Sequence, residues 1–307
     1  MKQKIIYLIK LLVGLLLVVW ILSRIDQQQF IEYFRHIGLK EFAYVSILGL
    51  ASLVLQYERW KYLVKTNSTA YEHQDLFPSF LAGFTLRLMI PGGHAEWSKA
   101  FLMSGRKRGK IIAVGMEKIL PAVFKIILLG LVIPFSFPRY KIAGMAVALI
   151  TILAYFLLLR LKLMQNLLEK QISTHRLFII TSIHSSGIFL LSAAQYYVLL
   201  NQDYSLSFLD SMHATVYLWA AGVFPFSLSG LGIREGLAVY FFRLAGVSSA
   251  DAVATSLFLF TLNSVIPAFF GIYYLYRNRQ NLKTLRQTFQ SSKDLLISLL
   301  KSNKDPS

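Results

Sequence analysis

The sequence predicts an all-α polytopic integral membrane protein, and three observations point to it. Of 307 residues, 55% are apolar or aromatic and only 15% are charged. The apolar residues gather in stretches about 20 residues long, and the basic residues gather between alternate stretches. A soluble domain commits roughly a quarter of its residues to Asp, Glu, Lys and Arg, so lipid is the solvent that suits this chain. The same composition excludes intrinsic disorder. A net charge of +17 would suggest nucleic acid in a soluble protein. Here it reads as loops that face the cytoplasm and anionic lipid headgroups, with no nucleic-acid partner. The chain has no cysteine, which excludes disulfides, thiolate nucleophiles and thiolate-bound metals.

Taken in order, Lys2 and Lys4 precede an apolar run from Ile5 to Leu22 with no small-x-small site after it, which predicts an uncleaved first transmembrane helix. Six firm spans are expected at about 5–22, 42–63, 111–134, 142–159, 177–200 and 252–276. Two further apolar regions are broken. The first, about 76–104, contains Arg87 and the breakers Pro91, Gly92 and Gly93; the second, about 208–246, contains Pro225, Gly230, Gly232 and the pair Arg234–Glu235. The membrane domain is thus 1–276. The stretch 277–307 is a basic cytoplasmic tail, read either as a partly amphipathic helix on anionic lipid or as a disordered terminus.

Counting Lys and Arg orients the chain. With the N-terminus inside, 21 of the 32 basic residues fall in cytoplasmic segments and five (Arg24, Arg35, Lys40, Arg139, Lys141) fall outside. This positive-inside bias predicts a multi-pass protein with both termini in the cytoplasm. Both flanks of the first broken region are then internal and both flanks of the second external, so the two dip into the bilayer from opposite faces. Their sequences are loosely alike, with Pro91-Gly92-Gly93 leading to Glu96 and Gly230-Leu231-Gly232 leading to Glu235, and each precedes a spanning helix. This is the pattern of an inverted repeat whose broken helices meet near the midplane. A chain of eight ordinary helices is the alternative.

The six remaining basic residues, Arg87, Lys99, Lys118, Lys125, Arg234 and Arg243, lie in or beside apolar territory with Glu96, Glu117 and Glu235. A charge at the bilayer centre costs about 2.5–3.5 kcal/mol even on the lenient scale, so such residues face a bundle interior or a wet cavity. Cations, glycine-exposed amides and helix N-termini together suit a phosphate or similar anion. The candidate substrate-binding residues are therefore Arg87, Glu96, Lys99, Glu117, Lys118, Arg234 and Glu235. Two other readings are snorkelling of Lys118, Lys125 or Arg243 to a surface and mutual neutralisation that locks helix packing. No catalytic residue, metal site or cofactor is expected. The six histidines are scattered without H-E-x-x-H, no Walker loop or dinucleotide fingerprint occurs, and no Asp pair is placed to hold Mg²⁺.

The stretch Phe224-Pro225-Phe226-Ser227-Leu228-Ser229-Gly230-Leu231-Gly232-Ile233-Arg234-Glu235-Gly236, with Gly246-Val247-Ser248 and Ala252 after it, resembles the signature of the lysylphosphatidylglycerol synthase transmembrane (flippase-like) domain family. Arg59-Trp60 with Leu63, Ile90-Pro91-Gly92-Gly93 with Glu96 and Lys99, and Glu117-Lys118 resemble that family's earlier blocks. The resemblance covers about 5–276 and implies a polytopic domain that moves a polar or cationic lipid between leaflets. Lys99 and Lys118 stand where the family suggests Arg, Pro121 where it suggests Asp, and Arg87 where it suggests Asn; a lysine lacks the bidentate fork of Arg. The expected function is a non-enzymatic, flippase-like lipid translocase or lipid-binding protein, without the soluble aminoacyltransferase domain. Its partners would be membrane lipids, phosphate-bearing, with a homo-oligomer or a lipid-making enzyme as a further associate. A non-transporting scaffold or regulator is the alternative, and an intramembrane lipid-modifying transferase ranks behind both.

Overall fold

The computed structural model describes residue 23 and residues 26–68, 71–89, 97, 99–100, 102–104, 107–160, 174–222 and 230–277. Among these every regular element is helical. Five helices are long and apolar enough to cross a membrane: Leu39–Asn67, Gly109–Ser136, Pro138–Phe156, His175–Leu200 and Ser249–Tyr276. They coincide with five of the six expected firm spans, and the sixth, 5–22, lies outside the described residues, as does the tail beyond 277.

The elements run α1 Gln27–His36, α2 Leu39–Asn67, α3 His73–Met89, α4 Lys107–Ser136, α5 Lys141–Arg160 and α6 Thr174–Leu200. Then come α7 Phe208–Ala221, α8 Ile233–Arg243, α9 Ser249–Phe260 and α10 Ile266–Arg277, the last two joined by a π-helical turn at Thr261–Val265. Asp26 caps α1 by accepting from the backbone of Gln28 and Gln29 at 2.9 and 3.1 Å. α1 docks on the start of α9, where Gln29 donates to Ser248 at 3.0 Å and Thr255 donates to the Tyr33 phenol oxygen at 2.7 Å. Tyr204 in the α6–α7 loop donates to Asp251. Burial pushes both the Tyr33 and Tyr204 phenols up, so they remain protonated.

Helices meet at backbone contact wherever glycine removes the side chain, as packing in lipid favours. A Cβ on Gly130 of α4 would lie 2.8 Å from the Gly144 carbonyl of α5, and one on Gly271 of α10 would lie 2.3 Å from the Leu81 carbonyl of α3. Neighbours follow an exchange pattern. α2 packs on α3 and α4 as α6 packs on α7 and α9; α3 packs on α10 as α7 packs on α4; α2 and α6 pack on each other.

In the two broken regions the described helices are short. α3 and α7, at 17 and 14 residues, measure about 25 and 21 Å at 1.5 Å per residue. α7 starts with a capping box in which Ser207 and Asp210 each bond the other's backbone. In the second break Gly230 and Gly232 both have φ +85°, the left-handed region that L side chains avoid. Gly232→Ala should therefore cost about 1–3 kcal/mol in thermal unfolding of the detergent-solubilised protein. Gly236→Ala, inside α8 where glycine is only a weak helix former, should cost nothing.

Candidate functional site

Arg59, Arg87, Lys99 and Glu117 meet in a polar cavity of about 40 Å³, lined also by Gln56, Phe80, Gly83 and Phe84. Its depth follows from helix rise. Glu117 is ten residues past the start of α4, Gly83 ten past the start of α3, and Arg59 eight before the end of α2. At 1.5 Å per residue these positions lie about 12–15 Å in from helix ends, inside the bundle. A void of this size holds roughly three waters, or the oxygens of one phosphoryl group.

Each side chain is held from behind. Lys99 is 2% exposed; it forms an ion pair with Glu117, and its ammonium lies 4.0 Å from the centroid of a Trp60 ring. Trp60 is fully buried and donates to Ser79 at 3.3 Å, and Ser79 donates to the Leu76 carbonyl at 2.9 Å, so α3 fixes the indole on which the lysine rests. Gly83 leaves the room: its Cβ would come 3.3 Å from Lys99 Cδ. Arg59 donates to Ser185 at 3.1 Å and so ties α2 to α6. The Arg87 guanidinium stacks 5.4 Å from the Phe84 ring. Among the described lining residues three cations stand around one carboxylate, a positive excess that suits an anion.

The segment that carries Lys99 is anchored at Met103 and Ser104. Asp75, in the first turn of α3, accepts from the Ser104 backbone at 2.8 Å and from its hydroxyl at 2.6 Å. Lys110, fully buried at the start of α4, donates to the Met103 and Ser104 carbonyls. These bonds satisfy backbone groups that lipid cannot.

The second break forms a separate cluster. Glu235 is 0% exposed; one of its oxygens accepts from the Gly232 backbone at 2.6 Å and the other from Arg234 Nε at 3.0 Å and Ser256 at 3.1 Å. Arg234 also donates to Ser256 at 3.0 Å and lies 4.6 Å from the Phe260 ring. The carboxylate is thus an N-terminal cap as well as a counter-ion. The network closes on itself and on α9.

Residues 7–271 match the family described as the lysylphosphatidylglycerol synthase TM region. The chain belongs to that family. A search of curated proteins found no match.

Within this lysylphosphatidylglycerol synthase TM region, the residues expected at the site divide. Arg87, Lys99 and Glu117 come together. Lys118 lies on the same turn of α4 as Glu117 but points its ammonium over Trp97, 5.9 Å from the ring centroid, and does not line the cavity. Arg234 and Glu235 belong to the closed second cluster, so the cavity's described lining comes from the first broken region, α2 and α4 rather than from both breaks. Gly230 and Gly232 make the tight turn expected of them. Glu96, Pro91, Gly92, Gly93 and Pro225 lie outside the described residues. Arg59 lines the cavity although it was not among the residues expected at the site. It reads as part of the basic flank of α2, yet it sits more than two turns inside the helix; the Arg59-Trp60 pair that resembles a family block was the signal for it. Gln56 carried no signal.

Proposed function

We propose that this protein binds a phosphate-bearing lipid by its headgroup and moves it between leaflets, as a non-enzymatic, flippase-like member of its family in the bacterial inner membrane. The observation that carries the reading is the cavity between α2, α3 and α4 in which Arg59, Arg87 and Lys99 converge around Glu117. Cations within membrane-spanning helices are expensive unless they line a polar cavity or find partners. Acyl chains would stay in the bilayer while the phosphoryl group enters between α2, α3 and the segment that carries Lys99. Membership of a lipid-handling membrane family supports the reading. So does the exchange of packing neighbours between α2–α4 and α6–α10, which fits an inverted repeat whose halves rock against each other. Both termini would be cytoplasmic, and an enzyme that makes the lipid, or a second copy, would be the natural associate.

The test is a leaflet-resolved assay in reconstituted vesicles with a fluorescent phosphatidylglycerol. Arg87→Gln, which keeps the stem and removes the charge, should slow the wild-type rate at least tenfold while leaving thermal stability nearly unchanged, because Arg87 is only partly buried. Wild-type rates no faster than protein-free vesicles would sink the proposal. A scaffold role would instead show stability losses with an unaltered lipid distribution, and a transferase would leave covalently altered lipid visible by mass spectrometry.

A further inference from the structure

The span Ser249–Tyr276 serves two packing groups. Its first part, α9, packs on α1, α6 and α8, and its last part, α10, packs on α3. Between them the backbone leaves the α register: the Ile266 N–H donates to the Thr261 carbonyl, five residues back. Pro267 follows at once and has no N–H for the Asn263 carbonyl, four residues back. The side chain of Asn263 ties this turn to its neighbours. Its amide donates to Gln195 Oε1 at 2.8 Å and accepts from Gln195 Nε2 at 3.2 Å, and Gln195 Nε2 also donates to the Val45 carbonyl at 3.0 Å. Gln195 is fully buried. Gly49 of α2 makes room for the pair, since a Cβ there would stand 2.9 Å from Asn263 Oδ1. Two amides thus fasten the turn to α6 and, through Val45, to α2.

The joint has the properties of a hinge. Helices bend at π turns and at prolines, and π turns recur at functional positions. Beyond the joint, α10 is bound to α3: Thr85 donates to the Ala268 carbonyl at 2.7 Å, and Gly271 brings the α10 backbone against the Leu81 carbonyl. α3 in turn carries Phe80, Gly83, Phe84 and Arg87 of the cavity lining. Bending at the turn therefore moves one wall of the cavity while α9 keeps its place on α6 and α8. We infer that the π-helical turn Thr261–Val265 is the hinge on which α3 and α10 swing together as one wall of the cavity, and that Gln195 and Asn263 are positioning residues that latch it in the arrangement described here. Its consequence for transport rests on the lipid-moving reading above. The hinge itself rests on the turn, the amide pair and the α3–α10 contact.

The chain has no cysteine, so pairs of introduced cysteines carry spin labels without background. Pulsed EPR on the full chain in detergent would measure Ile183 to Tyr273, from α6 to α10, and Ile183 to Phe77, from α6 to α3, all exposed positions. Ile183 to the exposed Leu209, from α6 to α7, is the reference. Gln195→Leu combined with Asn263→Leu removes both amides at similar volume and leaves neither partner stranded. In this double variant the distances to α3 and α10 should shift or broaden by more than about 2 Å, the scale of hinge movement, and the reference should not. Unchanged distances, a shift in α10 without α3, or equal shifts in all three pairs overturn the hinge. Should the double variant not fold, Pro267→Ala, which restores an N–H to the joint, decides. Its Ile183–Tyr273 distribution should be narrower than that of the wild type, and equal or greater width overturns the hinge. In vesicles Pro267→Ala should slow lipid movement about fivefold or more, as a stiffened hinge does, with Tm unchanged or higher. A wild-type rate, or a fall that tracks a lower Tm, overturns the hinge's part in transport. A wild type that moves no lipid refutes the transport reading and leaves the EPR distances to decide the hinge.

Discussion

Glu117→Ala is expected to lower the unfolding free energy by about 3–5 kcal/mol, the usual cost of removing one partner from a buried ion pair. Lys99 and Glu117 are buried at 3% and 10% side-chain exposure, so surface screening offers little relief. The remaining lysine would keep the Trp60 face but lose its counter-charge inside the bilayer. The double variant Lys99→Met with Glu117→Leu should recover most of the loss, because replacing a buried pair by apolar residues of similar volume is often neutral or stabilising. The same double variant should move lipid no faster than empty vesicles. Denaturation in detergent and the leaflet assay, run on one preparation, separate the two roles. A double variant that is stable and still active would mean that the pair serves packing alone.

Gly271→Ala is expected to cost about 2–4 kcal/mol, a large effect for one methyl group on a helix near the lipid. The added Cβ would stand 2.3 Å from the Leu81 carbonyl oxygen and 2.3 Å from the Thr85 hydroxyl of α3. Backbone cannot swing aside, so α3 and α10 must part. Overpacking costs about 1–3 kcal/mol, and separation also breaks the 2.7 Å bond from Thr85 to the Ala268 carbonyl, worth about 1 kcal/mol more. Because α3 also carries Gly83 and Arg87, lipid movement should fall together with Tm. Phe270→Ala, at a neighbouring position 64% exposed to the membrane, should change Tm by far less. Equal Tm for Gly271→Ala and wild type would show that the α3–α10 contact yields more readily than its geometry implies.

Parts of this architecture were legible without coordinates because they depend on local solvation. Hydropathy over 20 residues located the five described spans to within a few residues, since each stretch meets lipid on its own account. The turn in the second broken region was legible because glycine acts on its own backbone; Gly230 and Gly232 adopt the positive φ that only glycine takes readily. The pair Arg234–Glu235 was visible as a charge anomaly, but its role as cap and counter-ion was not, since that depends on Ser256 from α9.

What sequence alone determined is therefore the solvent, the spans, the places where helices break and the costly charges. Which charges share a cavity was decided by tertiary structure. Lys99 meets Glu117 across a segment with no fixed period, and Arg59 joins them because α2 is rotated to present Trp60 toward α3. The three described tryptophans, Trp60, Trp97 and Trp219, each take a lysine from another element, and no spacing along the chain encodes those pairs. The reason is physical. Burial in lipid is set by the composition of one segment, whereas the pairing of buried charges depends on the rotation and crossing of several helices, and these are fixed where glycines such as Gly130, Gly144 and Gly271 let backbones touch.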